Sequence, residues 1–154
     1  MSTRANRRTI ALAVIVFGIA AAGSGIRVAD AQPIPCPGAS CDVVVTMNGT
    51  TPSAYDLQMG KGNKNAVVVW KLQAPGYEFR ADSIKPHTAP PSGGKQTTTQ
   101  AAWDDQMRLQ NYSDTTYRMK NDNTAAGTLY YDIKVYQKST GVAYTLDPAI
   151  INDP

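Results

Sequence analysis

"TLYYDIKVYQ", Thr128 to Gln137, alternates with a period of two. Leu129, Tyr131, Ile133 and Val135 share one face, while Thr128, Tyr130, Asp132, Lys134 and Tyr136 share the other. Successive side chains of a strand point to opposite sides, so this pattern predicts a strand with one dry and one wet face. The same period recurs nearby. Gln106 to Gln110 sets Met107 and Leu109 against Gln106, Arg108 and Gln110, and Thr116 to Lys120 sets Tyr117 and Met119 against Thr116, Arg118 and Lys120.

Upstream, Asp42 to Met47 (DVVVTM) is β-branched and closes at Asn48-Gly49. Ala66 to Leu72 (AVVVWKL) follows the loop Gly60 to Asn65. Pro75-Gly76 turns the chain into Tyr77-Glu78-Phe79, toward Ile84. Pro86 to Thr99 is rich in Pro, Gly and Thr and predicts a long exposed loop. Downstream, Val142 to Leu146 and Ala149 to Asn152 end the chain on either side of Asp147-Pro148. No segment sustains a 3.6-residue apolar period. Ala101 to Leu109 comes nearest to a helix and reads better as a loop entering a strand. About seven to nine short strands predict an all-β, antiparallel sandwich, immunoglobulin-like or cupredoxin-like without copper, with Trp70 as a core plug.

The sandwich is expected over residues 42–154, behind two shorter segments. Arg4, Arg7 and Arg8 followed by the apolar run Ile10 to Ala22 and the triplet Ala29-Asp30-Ala31 read as a signal peptide cleaved after Ala31. Arg7-Arg8 also resembles a twin-arginine signal. A retained anchor would need about 20 apolar residues, and Gly18, Gly23, Ser24 and Gly25 thin the run. The chain is therefore expected to be periplasmic or secreted, with no stable membrane insertion after cleavage.

Cleavage changes the electrostatics. The whole chain holds 15 Lys+Arg and 12 Asp+Glu, and losing Arg4, Arg7, Arg8, Arg27 and Asp30 leaves equal numbers of each sign. Nucleic-acid binding needs clustered cations facing phosphates, and none remains, so that class is excluded.

Cys36 and Cys41 are the only cysteines. In an oxidising compartment they predict a disulfide that clips residues 32–41 to the first long strand. Pro37-Gly38 between them suits the centre of a type II turn. A redox site usually spaces its cysteines by two residues, and a zinc site needs four ligands. Neither pattern is present.

Two stretches, "VVVWKLQAPGYEF" (Val67 to Phe79) and "YTLDPAIIND" (Tyr144 to Asp153), together resemble the small bacterial exported β-proteins of the DP-EP type. The chain has no counterpart of that group's Glu-Pro signature. The resemblance implies a compact β-domain in which Asp147-Pro148 turns the chain before a last strand, and no functional residue comes with it.

Catalytic constellations are thin. A Ser/His/Asp set would have to use His87, which reads as an exposed loop histidine, and one histidine cannot build a blue-copper site. Asp104, Asp105 and Glu78 are the carboxylates a small hydrolase would use, but adjacent Asp104 and Asp105 would point apart on a strand. Asn121 to Asn123 (NDN) reads as a turn more than as half a calcium site, and GKGNKN (Gly60 to Asn65) lacks P-loop spacing. No catalytic residue, metal or cofactor is implied.

Aromatic residues remain. Tyr130 and Tyr136 fall on the wet face of their strand beside Lys134, and Trp103 lies in a polar neighbourhood. Exposed rings stack on sugars or anchor protein partners, although sheet aromatics also simply pack across strands. The expected function is a non-catalytic exported binding or structural protein whose partner is a protein or a glycan. Trp103, Tyr130, Lys134 and Tyr136 are its candidate binding residues. A carbohydrate-binding module built on the three rings and a small carboxylate-dependent hydrolase are the alternatives.

Overall fold

β-Branched runs and alternating segments give the chain twelve strands and one short helix in a computed structural model that describes residues 32–88 and 96–154. The proposed signal peptide lies outside the described residues. In chain order the strands are β1 (Ile34–Cys36), β2 (Ser40–Asn48), β3 (Thr51–Ser53), β4 (Leu57–Met59), β5 (Ala66–Leu72), β6 (Tyr77–Glu78) and β7 (Ile84–Pro86). After helix α1 (Gln100–Asp104) come β8 (Met107–Tyr112), β9 (Thr116–Asn121), β10 (Gly127–Gln137), β11 (Ala143–Leu146) and β12 (Ala149–Asn152).

They form two packed sheets, so the all-β sandwich holds. Both sheets are mixed rather than antiparallel, and the strands outnumber the expected count. The five-stranded sheet runs β3-β2-β5-β9-β8, and β2 lies parallel to β5. The other sheet is built around β10, with β4 parallel to both β1 and β12. Parallel neighbours were invisible in the sequence because both directions present the same alternation.

β10 is the long strand that the alternation predicted. Leu129, Tyr131, Ile133 and Val135 are all buried, as expected. Ile133 pairs with Leu146 of β11 and also with Ile84 of β7, so these ladders occupy opposite edges of β10. Tyr130 pairs with Ala149 in the same register that joins Ile133 to Leu146. Asp147-Pro148 therefore interrupts one continuous ladder instead of turning the chain. Proline has no N–H to donate, but its carbonyl still accepts from the Tyr131 amide at 3.2 Å.

The core between the sheets centres on Trp70 of β5 and Tyr131 of β10, both inaccessible to solvent. Leu57, Met59, Val45, Val68, Ile133, Val135 and Ile150 surround them. Each such fully buried large side chain contributes about 1.5–3 kcal/mol relative to exposure.

Cys36 and Cys41 form the expected disulfide, with Cα atoms 5.3 Å apart. The turn between them is not type II, because Gly38 does not adopt a positive φ. Pro75-Gly76 does form such a turn: Gly76 has φ +83°, and the Tyr77 amide donates to Ala74 O at 3.2 Å.

Two further expectations change. The segment Ala101 to Leu109, expected as a loop entering a strand, does lead into β8, but α1 precedes that strand. Thr99 caps this helix, its hydroxyl accepting from the Ala102 amide at 3.2 Å. Met107 is buried as predicted, whereas Leu109 is half-exposed because β8 ends its sheet.

Asn121 to Asn123 is also more than a turn. Asn121 Nδ2 donates to Asn152 Oδ1 at 2.8 Å, and its Oδ1 accepts from the Asn123 amide. Asn123, at φ +45°, directs Nδ2 toward the carbonyls of Gly60, Asn63 and Asp153 at 3.3–3.4 Å. These buried amides tie the 60–63 loop, the end of β9 and the C-terminal segment together. Asp122 meanwhile pairs with Lys120 and Arg108.

Candidate functional site

Alternation along β10 turns Tyr130, Asp132, Lys134 and Tyr136 away from the core. Neighbouring strands add to the same surface. Lys85 of β7 stands directly opposite Asp132, and Glu78 of β6 stands opposite Tyr136. Arg80, Asp82 and His87 come from the segments flanking β7. The result is a polar stripe across the outer face of the sheet.

The contacts within it are specific. Tyr136 Oη donates to both carboxylate oxygens of Asp82, at 2.8 and 2.7 Å, and Lys134 Nζ reaches Asp82 at 3.2 Å. The Arg80 guanidinium covers the Tyr136 ring, 4.4 Å from its centroid, and its Nε donates to Glu78 at 2.8 Å. At the other end His87 Nδ1–H donates to Asp132 Oδ1 at 2.6 Å.

These contacts set the proton affinities. The Tyr136 hydroxyl, with help from the Lys134 ammonium, holds Asp82 below the usual carboxylate range. Burial, then the hydrogen bond to Asp82, pushes Tyr136 above the ordinary phenol value. Lys134 follows Asp132 on the outer face of β10, diagonally across from Lys85, and the interaction between the two amines raises Lys134 and lowers Lys85. Partial burial lowers Lys85 further, against the opposing pull of Asp132 and Asp82.

Three of the four expected binding residues, Tyr130, Lys134 and Tyr136, therefore share one face. Trp103 does not. Its ring is only 3% exposed and packs 5.8 Å from the buried ring of Tyr131. The first turn of α1 directs it inward although its sequence neighbours are polar.

His87, expected on an exposed loop, has a side chain only 12% exposed and anchored to Asp132. The predicted long loop is also tied down at its ends. Pro86 belongs to β7, the His87 amide donates to Tyr130 O at 3.0 Å, and the Thr98 amide donates to His87 O at 3.0 Å. Thr98 Oγ1 in turn accepts from the Tyr130 amide at 2.7 Å. Residues 89–95 of that segment lie outside the described residues.

The carboxylates proposed for hydrolysis are not gathered. Asp104 accepts from Gln100 on α1, Asp105 caps that helix, and Glu78 belongs to β6, paired with β10. Among the described residues no group of three or more His, Cys, Asp or Glu is placed to hold a metal ion, and no helix is long and apolar enough to cross a membrane.

A shallow cavity of about 490 Å³ opens elsewhere, lined by Leu72, Ala74, Pro75, Tyr77, Thr115 and Lys138 among others. It contains no carboxylate pair. Sequence reasoning found the β10 half of the stripe through its period. It missed Lys85, Asp82, Arg80 and His87, whose membership depends on pairing across about 45 to 60 residues of chain. Neither the family models nor the curated proteins include a match to this chain.

Proposed function

We propose that the protein is an exported, non-catalytic binding module that contacts a protein partner through the outer face of β10. The observation that carries this reading is the stripe itself. Tyr130, Asp132, Lys134 and Tyr136 stand on the solvent side of the longest strand, joined there by Lys85, Asp82, Arg80 and His87. Tyr and Arg are enriched where proteins meet, and a rigid sheet presents them with little loss of freedom on binding. Export is supported by the leader-like N-terminal sequence and by the disulfide.

A glycan partner is less well supported. Sugar stacking needs open ring faces, yet Trp103 is in the core and Arg80 covers one face of Tyr136.

The test is capture from the native cell envelope by immobilised protein lacking residues 1–31. A Tyr130→Ala/Tyr136→Ala variant should lose the captured partner, while Arg118→Ala, on the opposite sheet, should keep it. Equal capture by both variants would refute the face as the contact surface.

A further inference from the structure

We propose that Lys85 and Lys134 form the specificity point of this surface and receive a carboxylate side chain from an acidic peptide segment of the partner. The inference rests on the outer face of β10 being the contact surface. It begins from the charge pairing within the stripe. Arg80 has Glu78, His87 has Asp132, and Asp82 has Tyr136 and Lys134. Among the described residues Lys85 has no carboxylate at ion-pair distance. It stands opposite Asp132, and Lys134, a like charge, follows one step further along the same face.

Neighbouring ammonium groups repel, and that proximity lowers the proton affinity of Lys85. An incoming carboxylate between them removes that repulsion and accepts hydrogen bonds from both. Lys134 directs one N–H to Asp82, and an ammonium carries three donors, so donors remain. Lys85 is exposed, and the Lys134 side chain is 24% exposed, so both can be reached.

Surface shape favours a peptide over a small free acid. The pair stands on an open sheet face, and the 490 Å³ cavity is lined by other residues. A small acid there keeps most of its hydration, whereas a peptide gains further contacts from Tyr130 and Tyr136 on either side. Asp82 and Asp132 flank the lysines, so one singly charged carboxylate between them meets less repulsion than a phosphate group carrying two charges.

The experiment titrates the chain lacking residues 1–31 with hexaglutamate and follows the lysine side-chain signals by NMR. Saturable shifts at Lys85 and Lys134 are expected. Lys85→Gln should weaken binding roughly five-fold. Lys61→Gln, which removes the same charge from the Gly60 to Asn65 loop, should leave it unchanged. Equal weakening by both variants would reduce the effect to overall charge and overturn the inference. So would absence of saturable shifts, or equally tight binding of glutarate or inorganic phosphate. If the Tyr130/Tyr136 variant abolishes partner capture while hexaglutamate leaves the lysines unmoved, only this inference fails. If hexaglutamate binds at the lysines but capture ignores the face variant, the proposed contact surface fails instead.

Discussion

The indole N–H of Trp70 donates to the phenolic oxygen of Tyr131 at 3.0 Å, and the two residues belong to opposite sheets. Their rings also meet edge to face, with centroids 5.6 Å apart. This polar contact sits at the centre of an apolar core, where no water replaces a lost partner. Tyr131→Phe keeps the ring and strands the Trp70 donor, so it should destabilise the fold by about 1–3 kcal/mol. The melting temperature should fall by roughly 4 °C for each kcal/mol. Tyr130→Phe, one residue away on the outer face, should stay within about 0.5 kcal/mol of the parent. Thermal denaturation followed by circular dichroism compares the two.

The same burial dictates behaviour in alkali. Burial pushes the Tyr131 hydroxyl well above its ordinary value. It raises Tyr117 as well, with smaller contributions from Tyr112 and Asp82. A group whose folded pKa is raised gives its full stabilisation below the unfolded pKa. That stabilisation is lost as pH climbs from about 10 through the folded values. Urea midpoints should therefore hold up to about pH 9 and decline beyond it. Tyr131→Phe should make that decline shallower; an unchanged slope would show that Tyr131 ionises equally in both states.

Acid acts with the opposite sign. Asp82 is lowered chiefly by the Tyr136 hydroxyl, and Asp122 chiefly by Lys120 with Arg108 assisting. Depressed carboxylates stabilise the fold above their unfolded pKa, near 4, and that share disappears as pH falls through the lowered folded values. Stability should thus drop below about pH 4. Asp82→Asn should be less stable than the parent at neutral pH, and the difference should narrow toward pH 2. Urea titration at both pH values reads the crossover.

How far the sequence revealed this molecule depends on the range of each interaction. Leu129, Tyr131, Ile133 and Val135 could be assigned to the core because alternation is a local property of β10. The Cys36–Cys41 bridge was legible for the same reason, since both partners lie within one short segment. The burial of Trp103 is not legible in the sequence because α1 is only five residues long, too short to show a helical period, yet long enough to rotate the ring into the core. His87 and Asp132 are 45 residues apart, and Asn121 and Asn152 are 31 apart. Nothing local to either residue announces such a partner. A polar side chain reads as exposed until the strand pairing that buries it is known.

The disulfide's contribution should be local as well as modest. Among the described residues β1 has only β4 as a sheet neighbour, and Asn63 Nδ2 donates to Cys36 O at 3.0 Å beside the bridge. Closing so short a loop is worth about 2 kcal/mol in the chain-entropy model. The Cys36→Ala/Cys41→Ala variant should lose about that much. Hydrogen exchange should quicken at Ile34 and Gly60, whose amides donate to Asp56 O and Cys36 O, while β10 stays protected. Uniform loss of protection across both sheets would instead make the bridge a requirement of the whole fold.

Asn123 combines a backbone demand with a side-chain one, and two substitutions separate them. Its φ of +45° lies in the left-handed region, which Asn tolerates better than most residues and glycine tolerates best. Its amide reaches three main-chain carbonyls from segments on either side of the molecule's buried Asn cluster. Asn123→Gly removes the amide while keeping the backbone relaxed, so it should lose about 1–3 kcal/mol. Asn123→Ala removes the amide and strains the backbone, which adds about 1 kcal/mol. The alanine variant should therefore be the less stable of the two in urea unfolding. Equal midpoints would mean that the left-handed backbone relaxes once the amide is gone. A glycine variant as stable as the parent would show that the three carbonyls are satisfied by water once the amide is removed, and that the cluster does not hold the C-terminal segment.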